Sequence, residues 1–127
     1  INMKKKFTNL EIWETYNLVE QIFKDEERLD LPIKVNYALQ LNRKTLRDKY
    51  RIIEEMRMEI GKKYGEATEY GFHISKEFKE KAQEEMNQLL EIEQMLDIML
   101  ISLEDLQNII LSVNQMAALI FMIEREE

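Results

Sequence analysis

Residues 32–65 read PIKVNYALQLNRKTLRDKYRIIEEMRMEIGKKYG, and how this stretch is read decides the fold. Its opening is ambiguous, because Ile33, Val35, Tyr37, Leu39 and Leu41 alternate as in a strand. Over a longer window, Leu39, Leu46, Ile53, Met56 and Ile60 keep heptad spacing, with Asn42 and Lys49 as polar exceptions. No breaker precedes Gly61, so the spacing predicts one helix over 32–64. Pro32 suits the first helical position, with Asp30 or Leu31 as the cap. Lys62 and Lys63 suit the negative end, and Gly65 is expected to cap it in the left-handed conformation.

Such a helix is about 50 Å long at 1.5 Å per residue. A compact domain of this size is only about 36 Å across. The helix should therefore project, and its stripe should be buried against another chain. The expected partner is a second copy, giving a homodimer or higher oligomer with Leu39, Leu46, Ile53, Met56 and Ile60 at the interface.

Three S/T-x-x-E/D/Q boxes mark further helix starts: Thr8 with Glu11, Ser102 with Asp105, and Ser112 with Gln115. The first opens a helix over about 9–28, whose inward stripe is Ile12, Tyr16, Val19 and Phe23. Ser75 is expected to cap a helix over about 76–96 with Phe78, Ala82, Met86, Leu89, Leu90 and Leu96 inward, antiparallel to the long one. The segment between, with Tyr70, Gly71 and Phe72, reads as a loop. Ile98–Ile101 and Ile109–Leu111 are short apolar runs, so strands are expected at about 97–101 and 108–111, then a last helix over about 113–124. The fold class is thus mainly α: a long antiparallel helical hairpin, an N-terminal helix, a small two-stranded β element and a short C-terminal helix.

The chain has 127 residues, room for one domain. It carries a net charge of -7, which argues against a nucleic-acid partner and suits solubility. It holds no cysteine, so disulfides, thiolate zinc sites and cysteine nucleophiles are excluded, and a reducing cytoplasm fits. Lys4, Lys5 and Lys6 lead into Thr8, Asn9 and Glu11 rather than an apolar run, so no signal peptide is expected. Ile1 and Asn2 precede Met3, which is the expected natural start. The apolar stretch Ile109–Ile123 is interrupted by Ser112, Asn114 and Gln115 and is too short for a membrane span.

No motif carries chemistry. His73 is the one histidine and lacks triad-like neighbours. The acidic pairs Glu54/Glu55, Glu84/Glu85 and Glu91/Glu93 lack metal-loop spacing. Gly61, Gly65 and Gly71 do not form a phosphate loop. No enzyme, metal or cofactor is expected. The best candidate binding residues are Arg43, Lys44, Arg47 and Arg51, whose arginines step by four along one helix face and could grip phosphate or an acidic protein patch. The plainer reading pairs them with Asp48, Glu54, Glu55 or the Asp25–Glu27 run. Met56, Met86, Met95, Met99, Met116 and Met122 fall on apolar faces and are expected in the core, or else on an adaptable binding surface.

Leu31 to Leu39, Ile60 to Gly65, Leu89 to Glu93 with Ile98, and Met116 to Glu124 together resemble a group of small proteins from bacteriophages and prophages of Gram-positive bacteria. The family often has Pro after the serine that opens the last helix, where Val113 stands here. The resemblance carries no catalytic residues over. It implies a phage origin and the cytoplasm of an infected host bacterium. The expected function is a phage accessory protein acting by protein–protein interaction, with itself or a host or defence protein as partner. The alternatives are a nucleic-acid or nucleotide binder using the arginine stripe, and a virion or assembly component.

Overall fold

The computed structural model describes residues 2–25 and 29–125. The order is β1 (Asn2–Thr8), α1 (Asn9–Lys24), α2 (Ile33–Tyr64), β2 (Gly65–Thr68), β3 (Gly71–Ile74), α3 (Lys79–Glu91), β4 (Glu93–Met99) and α4 (Val113–Leu119). Short 3-10 turns cover Leu103–Leu106 and Ile120–Met122. The fold is mainly α, and no described helix is long and apolar enough to cross a membrane.

The ambiguous opening of the long segment is helix. Pro32 stands one position before α2, and its carbonyl accepts from the Asn36 amide. Leu39, Leu46 and Ile53 are fully buried and Ile60 nearly so, whereas Met56 is 42% exposed. Of the five residues expected at an oligomer interface, the chain thus covers four itself and leaves Met56 exposed. α1 lies antiparallel along one side of α2, with the Trp13 and Tyr16 rings packed on Tyr50 at tilts of 34° and 35°. α3 and then β4 cover the other side, from the Lys63–Glu85 pair to the contact between Asn42 and Met99. The heptad residues fill the seam between these layers, together with Ile12, Val19, Leu96 and Ile98.

β1 was not expected, since Lys4-Lys5-Lys6 has little strand propensity. Its pairing comes from a distant partner, antiparallel β4, with Met3 opposite Ile98 and Lys5 opposite Leu96. That tertiary pairing outweighs local preference. Phe7 is buried on the inner row, and the Lys5 ammonium donates to the Phe121 carbonyl at 2.7 Å.

The expected strands at 97–101 and 108–111 do not pair with each other. Ile101 instead bridges Ile123 in parallel. Residues 109–111 follow Asn108, at φ 69°, and alternate without a ladder: Ile109 and Leu111 pack on the core while Ile110 stands 94% exposed. α3 stops at Glu91 rather than 96, because Leu96 and Ile98 bury at a spacing of two, a strand period. Ser75 does not cap α3; its carbonyl accepts from the Phe78 amide in a turn, and α3 begins at Lys79. α1 is described to Lys24, and residues 26–28 of its expected span lie outside the described residues. The last helix is α for Val113–Leu119 and 3-10 to Met122, shorter than 113–124.

The expected loop after α2 is a hairpin of β2 and β3, turning at Gly71, whose φ of +137° favours glycine. Gly65 is extended and opens β2 instead of forming a left-handed cap. Gly61 lets the Phe72 ring lie on α2, where an added Cβ would meet that ring at 2.4 Å. All three capping boxes form: Thr8 with Glu11, Ser102 with Asp105, and Ser112 with Gln115.

Two buried asparagines fasten β4. Asn42, fully buried on α2, accepts from the Met99 amide at 2.8 Å and donates to the Met99 carbonyl at 2.9 Å. Its carboxamide thus pairs with one β4 residue much as a neighbouring strand would. Asn9 donates to the Leu89 carbonyl at 2.9 Å, near the end of α3, and accepts from the Gln94 side chain at 2.6 Å.

Candidate interaction surface

Arg43 and Arg47 of the arginine stripe lie on α2 where it meets α1. Arg43 is committed within the chain: Glu20 of α1 takes its guanidinium in a two-pronged pair at 2.6 and 2.9 Å. The same guanidinium lies 3.9 Å over the Phe23 ring. Arg47 reaches Glu20 at 4.0 Å. Lys44 and Arg51 are exposed. The partner of Arg43 is therefore an acid none of the sequence pairings named, because α1 and α2 run antiparallel and bring Glu20 across. Of the alternatives considered, Glu54 pairs with Arg57 instead, at 3.2 Å. Glu26 and Glu27 lie outside the described residues.

These pairs carry a pH signature. The hydrogen bond from Arg43 holds the Glu20 carboxyl below its ordinary range, and the neighbouring Tyr64 hydroxyl and then the Lys63 ammonium do the same for Glu85. At Asp105 the Ser102 backbone amide leads, followed by Lys34. Lowered folded values mean stability that is fully present above the unfolded carboxyl range of about 4 and lost as pH falls through the folded values. The expected outcome is a flat melting temperature from pH 7 to about 5 and a steady fall below about 4. Thermal denaturation across pH checks it; Glu20→Gln should flatten the acid limb.

A second surface was not legible as a site. Between α2 and α3 runs a groove of about 360 Å³, lined by Met56, Glu59, Ile60, Lys63, Glu85, Gln88, Leu89 and Ile92. Leu89 and Ile60 form its buried floor, while Met56 and Ile92 remain 42% and 49% exposed at its walls. Glu59 is an exposed acid on the rim, and the Lys63 ammonium is held by Glu85 at 3.0 Å. β4 leaves directly from Ile92, and its exposed face carries Glu93, Met95 and Asp97. Met95 is 57% exposed, so Met56 and Met95 both depart from the expectation of a methionine core. Met122 is fully buried, and Met86, Met99 and Met116 pack on the core as expected.

Comparison with protein families, curated proteins and solved structures found no match. Among the described residues no group of three or more His, Asp or Glu side chains is placed to hold a metal ion. His73 stands exposed on β3 opposite Glu66, away from the groove floor. What the α2–α3 groove offers is contact chemistry: two apolar side chains without cover, one of them a methionine that adapts to uneven partners, beside an acidic rim. The one sequence signal for it was the heptad position of Met56, which helical periodicity assigns inward; α3 stops short of covering it.

Proposed function

We propose that the chain is a phage accessory protein that acts without catalysis, by binding another protein through the groove between α2 and α3. The observation that carries this reading is the pairing of exposed Met56 and Ile92 over a buried apolar floor. Apolar side chains grouped in a concave site with a polar rim are what a protein partner desolvates. A host protein in the cytoplasm of the infected bacterium is the partner that the phage resemblance suggests. The buried heptad stripe leaves a second copy no access there, so self-association would have to use another face. The arginine stripe competes poorly, with Arg43 held by Glu20 and a net charge of -7.

The test is affinity capture with chemical cross-linking in infected host cells, comparing the wild-type chain with Ile92→Glu. The expected result is a host protein captured by the wild type and lost with Ile92→Glu, while helix content and melting temperature stay within experimental error. Equal capture by both would remove the groove from the reading. A nucleic acid or metabolite co-purifying in place of any protein would remove the reading itself.

A further inference from the structure

We propose that the outer edge of β4, over Glu93, Met95 and Asp97, is a strand-addition site for an extended, basic segment of the partner protein. In an antiparallel ladder the amide and carbonyl of one residue point to the same side, and the side alternates along the strand. Met99 gives both groups to Asn42, and Ile101 gives both to the segment 122–124. The odd-numbered residues therefore face away from β1. By that alternation the backbone groups of Glu93, Met95 and Asp97 form a row on the same outer side. Among the described residues none of these groups has a hydrogen-bond partner.

An unpaired row of this kind is a template for another strand. Its length is bounded: Asn42 occupies the next position at Met99, so the added ladder spans residues 93–97. The side chains of that row fix the partner's chemistry. Glu93 and Asp97 flank Met95 on the exposed face, an acid–apolar–acid pattern at a spacing of two. A second β4 edge laid antiparallel about Met95 would set Glu93 against Asp97, like charge against like. A strand with lysine or arginine two residues to either side of an apolar residue is complementary at all three positions. β1 already shows the pairing from the other side, with Lys4 opposite Asp97 and the Lys6 ammonium 3.2 Å from Glu93. The apolar centre of the added strand would meet Met95, and its end beyond Glu93 would run toward Ile92 at the groove wall. This inference rests on the groove reading only for the partner being a protein; the edge itself is independent of it.

The probe is a capped peptide repeating Lys-Thr-Ile-Thr-Lys, titrated into the isotopically labelled full chain, with Glu-Thr-Ile-Thr-Glu as the control. The expected result is chemical-shift change at the Met95 and Asp97 amides, and solvent exchange slowed there by roughly tenfold or more, with Leu96 and Ile98, which already face β1, little altered. Met95→Pro removes an outward amide and no bond to β1, so the fold should persist and peptide binding should vanish. Met95→Lys, which keeps the amide but sets a cation in the row, covers the case in which proline disturbs the strand; it should also abolish binding. Glu93→Gln with Asp97→Asn should weaken binding about three- to tenfold.

Binding of the basic peptide unchanged by Met95→Pro and Met95→Lys, protection confined to other amides, or equal binding of the acidic peptide would overturn the proposal. The captured host protein separates the two readings. Loss with Ile92→Glu but full retention with both Met95 variants overturns strand addition and leaves the groove reading standing. Retention with Ile92→Glu and loss with both Met95 variants removes the groove and supports the edge.

Discussion

Asn42→Leu is expected to lower stability by about 3 kcal/mol and the melting temperature by roughly 10 °C. Leucine is close to asparagine in shape, so the loss comes from hydrogen bonding and not from a large cavity. Two bonds to the backbone disappear, one at 2.8 Å to the Met99 amide and one at 2.9 Å to its carbonyl, along with the weaker contact to the Met122 sulfur at 3.6 Å. Each orphaned backbone group then bears a desolvation cost of about 1–3 kcal/mol. Met99 is half-buried, so water recovers part of that and the middle of the range applies. Asn42→Asp separates the two halves of the clamp: the carboxylate still accepts from the amide but faces the carbonyl with no donor, so it should also be destabilising, and less so in acid, where a protonated carboxyl can donate. Urea denaturation measures both. A loss below about 0.5 kcal/mol for Asn42→Leu would mean that the carboxamide merely occupies the seam.

Leu46→Ala is expected to cost about 3 kcal/mol, the central value for truncating a fully buried leucine. The more informative feature is its concentration dependence. Had the heptad stripe been an interface between copies, the melting temperature of wild type and variant would rise with protein concentration. Because Leu39, Leu46 and Ile53 are buried within one chain, the loss should be the same across a hundredfold dilution. Thermal melts over that range decide it, and a wild-type melting temperature that rises with concentration, by an amount that Leu46→Ala changes, would restore the stripe to an intermolecular role.

Much of the architecture was readable because it is written locally. The three capping boxes, the single helix through residue 64 and the inward stripe of α1 need only near neighbours in sequence. Asn42 stood out as the polar exception in a heptad stripe, and that irregularity marks the residue that fastens β4. What escaped was non-local. Lys4-Lys5-Lys6 holds no apolar alternation, and its strand exists only because Glu93–Met99 lies beside it. The apolar run at 108–111 has strand composition but joins no ladder; next to it in the fold the Met99 and Ile101 groups are taken by Asn42 and the segment 122–124. The arginine stripe was visible, yet its acid could not be chosen until α1 and α2 were seen antiparallel. The groove was invisible for a related reason: exposure of Met56 depends on where α3 ends, and Leu96 and Ile98 changed period within what read as one helix.

The pairing of β1 with β4 also has a consequence in time. Asn9, directly after β1, bonds to Leu89, 80 residues further along. At about 5–20 residues per second a ribosome needs on the order of ten seconds to deliver that partner. Throughout that wait β1 emerges as an unpaired segment, exposed to every other nascent or misfolded chain nearby. Its three consecutive lysines then act as gatekeepers, keeping it hydrated and a poor template for aggregation until β4 arrives. The charge that made this strand hard to foresee is what lets it wait.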